Sequence, residues 1–74
     1  MNNSQIILGK YRHFKGHEYE VIAVARHSET LEEMVIYRAL AGGQEYWVRP
    51  LKIFLEMAEV NGKKVPRFEY LGED

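Results

Sequence analysis

Hydrophobic residues recur along this chain in short blocks, each closed after a few positions by glycine, proline, asparagine or charge, and most blocks suit strands better than helices. After a polar start, Ile6-Ile7-Leu8 runs into Gly9, so residues 1–8 read as a loosely held segment ahead of the domain. Lys10 to Phe14 reads as a short strand, ended by a turn over Lys15-Gly16-His17-Glu18. Tyr19 to His27 is longer, rich in β-branched residues and apolar on both parities through its middle, which predicts a central strand. The acidic stretch Ser28 to Glu33 comes next. Thr30 and Glu33 have capping-box spacing, but the stretch is too short for more than one helical turn and is expected to be a loop.

Met34 to Leu40 resumes strand character, Gly42-Gly43 marks a tight turn, and Glu45 to Arg49 reads as the strand returning from it. Pro50 ends that strand and suits the first position of a helical turn, for which Leu51 to Leu55 offers apolar residues at helical spacing. Asn61-Gly62 between apolar flanks is a strong hairpin signal, because both residues accept positive φ. A last strand is expected over Val65 to Tyr70, with Pro66 placing it at an edge or a bulge, since proline has no amide hydrogen to donate. About five short strands with one short helical turn before the last predict a mostly β fold, a small SH3-like barrel whose closure protects strand edges.

A chain of 74 residues has room for one core, here expected over 9–71 with 72–74 as a tail, and not for two lobes around a deep cleft. Without cysteine there are no disulfides, thiolate metal sites or cysteine nucleophiles. Stability must come from packing, and aromatic residues from Tyr11 to Tyr70 are available in nearly every segment. No apolar run approaches the roughly 18 to 20 residues of a membrane span, and the polar start lacks the basic residues of a signal peptide. A soluble, cytoplasmic protein is expected. The formal charge of −1 argues against whole-molecule attraction to polyanions, so any anion site must be local.

Several segments together carry a likeness: Gly9-Lys10-Tyr11-Arg12-His13-Phe14-Lys15-Gly16, Tyr19-Glu20-Val21, Ala25-Arg26-His27-Ser28-Glu29-Thr30, Val35-Ile36-Tyr37-Arg38-Ala39-Leu40, Trp47-Val48-Arg49-Pro50 and Val65-Pro66-Arg67-Phe68. The chain resembles, from Gly9 to Tyr70, the bacterial family called domain of unknown function 1653, with no departure from its pattern. The resemblance implies an SH3-type roll, in agreement with the strand count. It implies no activity, substrate, cofactor or catalytic residue, and fold does not determine function.

Candidate chemistry is concentrated in arginines and rings. Arg26, with His27, Ser28 and Thr30 beside it, is a candidate anion contact flanked by hydrogen-bonding side chains; the simpler reading is a strand end whose polar side chains bond the turn backbone. Tyr11-Arg12, Tyr37-Arg38 and Trp47-Val48-Arg49 interleave rings with guanidinium groups, the combination that single-stranded nucleic acid uses for stacking and phosphate contact. Whether Arg12, Arg26, Arg38 and Arg49 converge depends on strand register, because a one-residue slip reverses a side chain's face. Otherwise these arginines lie along the surface or pair with Glu18, Glu20, Glu29 and Glu45. Trp47 and the tyrosines also suit an aromatic cage for a cation, in competition with the needs of the core.

His13 and His17 have helical metal-ligand spacing, but Gly16 and the strand pattern deny the helix, so no metal site is expected. His27 and Ser28 are neighbours on a strand and point to opposite faces, which disfavours a shared proton. Gly42-Gly43 lacks the lysine and helix of a phosphate loop. The sequence therefore reads as a binding module without a cofactor and not as an enzyme. Its candidate ligand is single-stranded nucleic acid or a nucleotide-like anion; the alternative is a protein partner, either a peptide held by Tyr11, Tyr37 and Trp47 or a second copy at an edge strand.

Overall fold

The computed structural model describes residues 6–42 and 45–72. Seven strands and one short helix follow in the order β1 (Gly9–His13), β2 (Glu18–Arg26), β3 (Glu33–Ala39), β4 (Tyr46–Pro50), α1 (Leu51–Phe54), β5 (Met57–Val60), β6 (Lys63–Pro66) and β7 (Phe68–Gly72). Five strands form one antiparallel sheet in the order β4-β3-β2-β1-β7, and β5 pairs with β6 alone. This is the mostly β, SH3-like arrangement that the hydrophobic pattern predicts. The tight turn expected at Gly42-Gly43 lies partly outside the described residues.

The alternation of buried positions sets the register. Tyr11 opposes Tyr19, Val21 opposes Tyr37, and Tyr37 opposes Trp47, so these side chains share the inner face. The register of β2 against β3 shifts between Val21 and Ala23; this irregularity lets both Val21 and Val24 turn inward and explains why β2 is apolar on both parities. The core consists of Ile6, Tyr11, Val21, Val35, Tyr37, Leu51, Phe54 and Phe68, with Tyr19 and Val24 packed against it. Phe54 is 1% exposed, burial that contributes about 1.5–3 kcal/mol for a side chain of this size.

Two expectations are refined near the C-terminus. The single last strand expected over Val65 to Tyr70 is divided, because β6 turns away at Arg67 and β7 begins at Phe68. Arg67 donates its backbone N–H to Glu56 O at 2.9 Å, while Phe14 N–H bonds Arg67 O at 2.9 Å. Arg67 is thus a joint between the hairpin and the main sheet. The hairpin turns at Asn61 (φ 53°) and Gly62 (φ 80°), the pair of positive angles that a two-residue turn requires. Pro66 falls on β6 opposite Met57, in a two-stranded sheet that has only edges. Pro50 is the helix N-cap and still part of β4, one position earlier than the sequence suggests.

Candidate functional site

Register divides the candidate arginines between two faces of the sheet. Arg12 opposes Glu18 on one side and Glu69 on the other, and pairs with them at 4.0 and 3.6 Å. Arg38 opposes Glu20 and meets its carboxylate at 2.7 Å. Both arginines lie on the outer face, in a checkerboard with their partners. Arg49 opposes Val35 and Trp47 opposes Tyr37, which places both on the inner face. The four arginines do not converge.

The Arg26 to Thr30 segment builds its own loop. Arg26 donates from Nη1 to Leu31 O at 3.0 Å. The His27 ring accepts at Nδ1 from the backbone N–H groups of Glu29 and Thr30, at 3.1 and 3.3 Å. Thr30 Oγ1 accepts from Glu32 N–H at 3.2 Å, and Leu31 adopts φ 66°. These bonds hold a tight polar turn, and Ser28 stands exposed within it.

The chemistry on the inner face gathers around Phe68. Phe54 stacks on its ring with centroids 4.0 Å apart and planes 7° from parallel. His13, Tyr19 and Tyr37 approach it edge-on at 4.9, 5.8 and 5.8 Å. The Arg49 guanidinium lies over the ring with Cζ 5.7 Å from its centroid, and its Nε donates to Tyr37 Oη at 3.2 Å. Among the described residues Arg49 has no carboxylate within salt-bridge distance. Arg67 adds a second cation; its Nη2 pairs with Glu56 at 3.2 Å, while its Nε is buried without a hydrogen-bond partner among the described residues.

His13 reports on this environment. Burial holds its pKa below the ordinary 6.5, and the positive charges of Arg67, Arg49, Lys15 and His17 press it further down. Its Nδ1 accepts from the Lys15 backbone N–H at 3.1 Å, so the neutral ring carries its proton on Nε2. Of the two arginines here, Arg67 faces Glu56 and Arg49 alone lacks a facing carboxylate among the described residues, the condition an anion site requires. Two open clefts flank the β1–β2 turn, one of about 610 Å³ with Tyr19, Ala39 and Leu40 in its wall, the other of about 330 Å³ between His13 and Phe14 and the hairpin residues Val60, Val65 and Pro66.

Tyr11 and Tyr37 are each 5% exposed, whereas Trp47 is 50% exposed. A peptide groove formed by all three rings is therefore not present at the surface. Trp47 alone is open, two positions from Arg49 on the same face of β4. Sequence reasoning did not place His13, Arg67 or Phe68 at an anion site. Their signal was the Val65-Pro66-Arg67-Phe68 segment, where a basic residue breaks a predicted strand just before an aromatic one. Among the described residues, no group of histidine and carboxylate side chains is placed to hold a metal ion, and no helix is long and apolar enough to cross a membrane.

The fold and site define a small, mostly β domain with a guanidinium held on its inner face by the Phe68 ring and the Tyr37 hydroxyl. The family model described as protein of unknown function DUF1653 matches residues 9–70, and the chain belongs to this family. A crystal structure of a DUF1653 protein from Bordetella bronchiseptica is similar to it, with 35% sequence identity, a TM-score of 0.85, and coverage of 95% of this chain and 92% of that one. No functionally curated protein matches the chain at a significant level.

Proposed function

We propose that this domain is a binding module that takes an anionic ligand at Arg49, with single-stranded nucleic acid as the ligand class that suits it best. The observation that carries this reading is the state of Arg49: held by Tyr37 and Phe68, it has no carboxylate partner among the described residues. Arg12 and Arg38, by contrast, are neutralised by neighbours on the outer face. A guanidinium pre-oriented by a ring and a hydroxyl loses less freedom when it binds phosphate. Trp47, half-exposed beside it, supplies a surface on which a base can stack.

Trp47 is the only tryptophan in the chain, so its fluorescence reads the site directly. Titration with a short oligouridylate is expected to quench the emission, with an affinity that falls as salt rises, since phosphate binding releases counterions. Arg49→Gln is expected to weaken binding about tenfold or more, the loss typical of a charge-assisted contact. Emission indifferent to the oligonucleotide, or an affinity unchanged by Arg49→Gln, would refute the assignment.

A further inference from the structure

We propose that β4 is a self-association edge, at which two copies of this chain pair antiparallel about a two-fold axis at Trp47. β4 ends the five-stranded sheet, with β3 on one side and no strand among the described residues on the other. Edge strands ordinarily carry charges, prolines or bulges at their centres to discourage pairing. Here the centre is Tyr46-Trp47-Val48, exposed by 64%, 50% and 60%. Pro50 lies only at the end of the strand, and the register irregularities of this sheet fall between β1 and β7 and between β2 and β3. On the outer face, Val48 has the apolar Ile36 as its neighbour on β3, and Tyr46 has Arg38, whose charge is already paired with Glu20.

Charge selects the occupant and the register. In an antiparallel pair related by a two-fold axis, opposed residues are equally displaced from the axis and share a face. An axis at Trp47 sets Tyr46 against Val48 of the second copy and Glu45 against its Arg49. Glu45 is exposed, and neither it nor Arg49 has an ion-pair partner among the described residues. An axis at Val48 would instead oppose Arg49 to Trp47 and Tyr46 to Pro50, with no opposite charges matched. A second copy thus satisfies the strand's backbone groups, its apolar side chains and its charges together. The pairing draws on the same guanidinium as anion binding, but stands on the edge geometry and not on that reading.

An interface this short belongs among the weak, concentration-dependent ones. Sedimentation equilibrium of the full chain from micromolar to millimolar concentration, without nucleic acid, is expected to show its mass rising from 8.7 kDa toward the dimer. Val48→Lys is expected to weaken association about tenfold or more, by placing an unpaired charge at the contact. Adding Tyr46→Glu to Val48→Lys sets opposite charges face to face and is expected to restore it. Tyr46→Lys replaces Val48→Lys where the latter fails to fold. A chain that stays monomeric throughout, or an association indifferent to Val48→Lys, or the absence of rescue by the double variant, would overturn the proposal. Oligouridylate binding that persists in a monomeric Val48→Lys variant keeps the fate of the anion site separate.

Discussion

Arg49 and Phe68, from strands at opposite edges of the five-stranded sheet, meet with the guanidinium carbon 5.7 Å from the ring centroid. The same ring is stacked on Phe54. Phe68 therefore joins the core to the site and is needed by both. Phe68→Ala is expected to destabilise the domain by about 3–5 kcal/mol, the cost of emptying a packed aromatic position. Phe68→Leu keeps most of the volume and should fold, yet it removes the surface under Arg49 and the edge contact of His13. Urea denaturation measures the first effect, and oligonucleotide affinity of the folded leucine variant measures the second.

His13 gives the domain a pH dependence of known sign. Its folded pKa is depressed below 6.5, so in weakly acidic solution the unfolded chain binds more protons than the folded one, and stability rises with pH. The contribution is complete above the unfolded value of about 6.5 and is lost as pH falls through it toward the folded value. His13→Ala should flatten this part of the stability curve. Arg49→Gln removes one of the repelling charges and is expected to raise the His13 pKa without returning it to normal, because burial is the larger cause. An NMR titration of the ring resonances distinguishes these outcomes.

Tyr11 clamps the segment ahead of β1. Its hydroxyl donates to Ile7 O at 2.6 Å and accepts from Ile7 N–H at 3.1 Å. Burial raises the phenol pKa; the backbone bond to Ile7 partly opposes the shift, and Tyr70 adds to it. Tyr11→Phe keeps the ring and should cost about 0.5–1.5 kcal/mol, with faster amide exchange at Ile7. A variant as stable as the parent would show that the clamp contributes nothing.

The outer-face pair Arg38–Glu20 should behave differently from Arg49. Both side chains are about a third exposed, and a double-mutant cycle is expected to return a coupling of about 0.2–1 kcal/mol. Arg38→Gln should leave oligonucleotide affinity nearly unchanged, because this guanidinium already has its counter-charge. An equal loss from Arg38→Gln and Arg49→Gln would mean that diffuse charge, and not the inner-face site, attracts the ligand.

The strands of the main sheet were legible as short apolar blocks with Gly16 marking the β1–β2 turn, and the β5–β6 hairpin was legible from Asn61-Gly62, whose positive φ angles few other residues allow. The division of the last strand was not, since Val65 to Tyr70 keeps strand composition across a joint made by backbone bonds to Phe14 and Glu56. The same limit applied to the site. Composition named Arg49 and Trp47 as candidates, but Arg12 and Arg38 looked equivalent to them until register placed those two beside carboxylates. Phe68 read as core, which it is; that the Arg49 guanidinium also lies over its ring depends on contacts distant in sequence.

The most direct test is an amide NMR titration of the labelled protein with a short oligouridylate at low and moderate salt, repeated on Arg49→Gln. Salt-sensitive shifts centred on His13, Tyr37, Trp47 to Arg49 and Arg67-Phe68, and lost in the variant, are the expected result. A spectrum that does not move, or shifts confined to Arg26 to Thr30 or to the outer face, would contradict the assignment of anion recognition to Arg49.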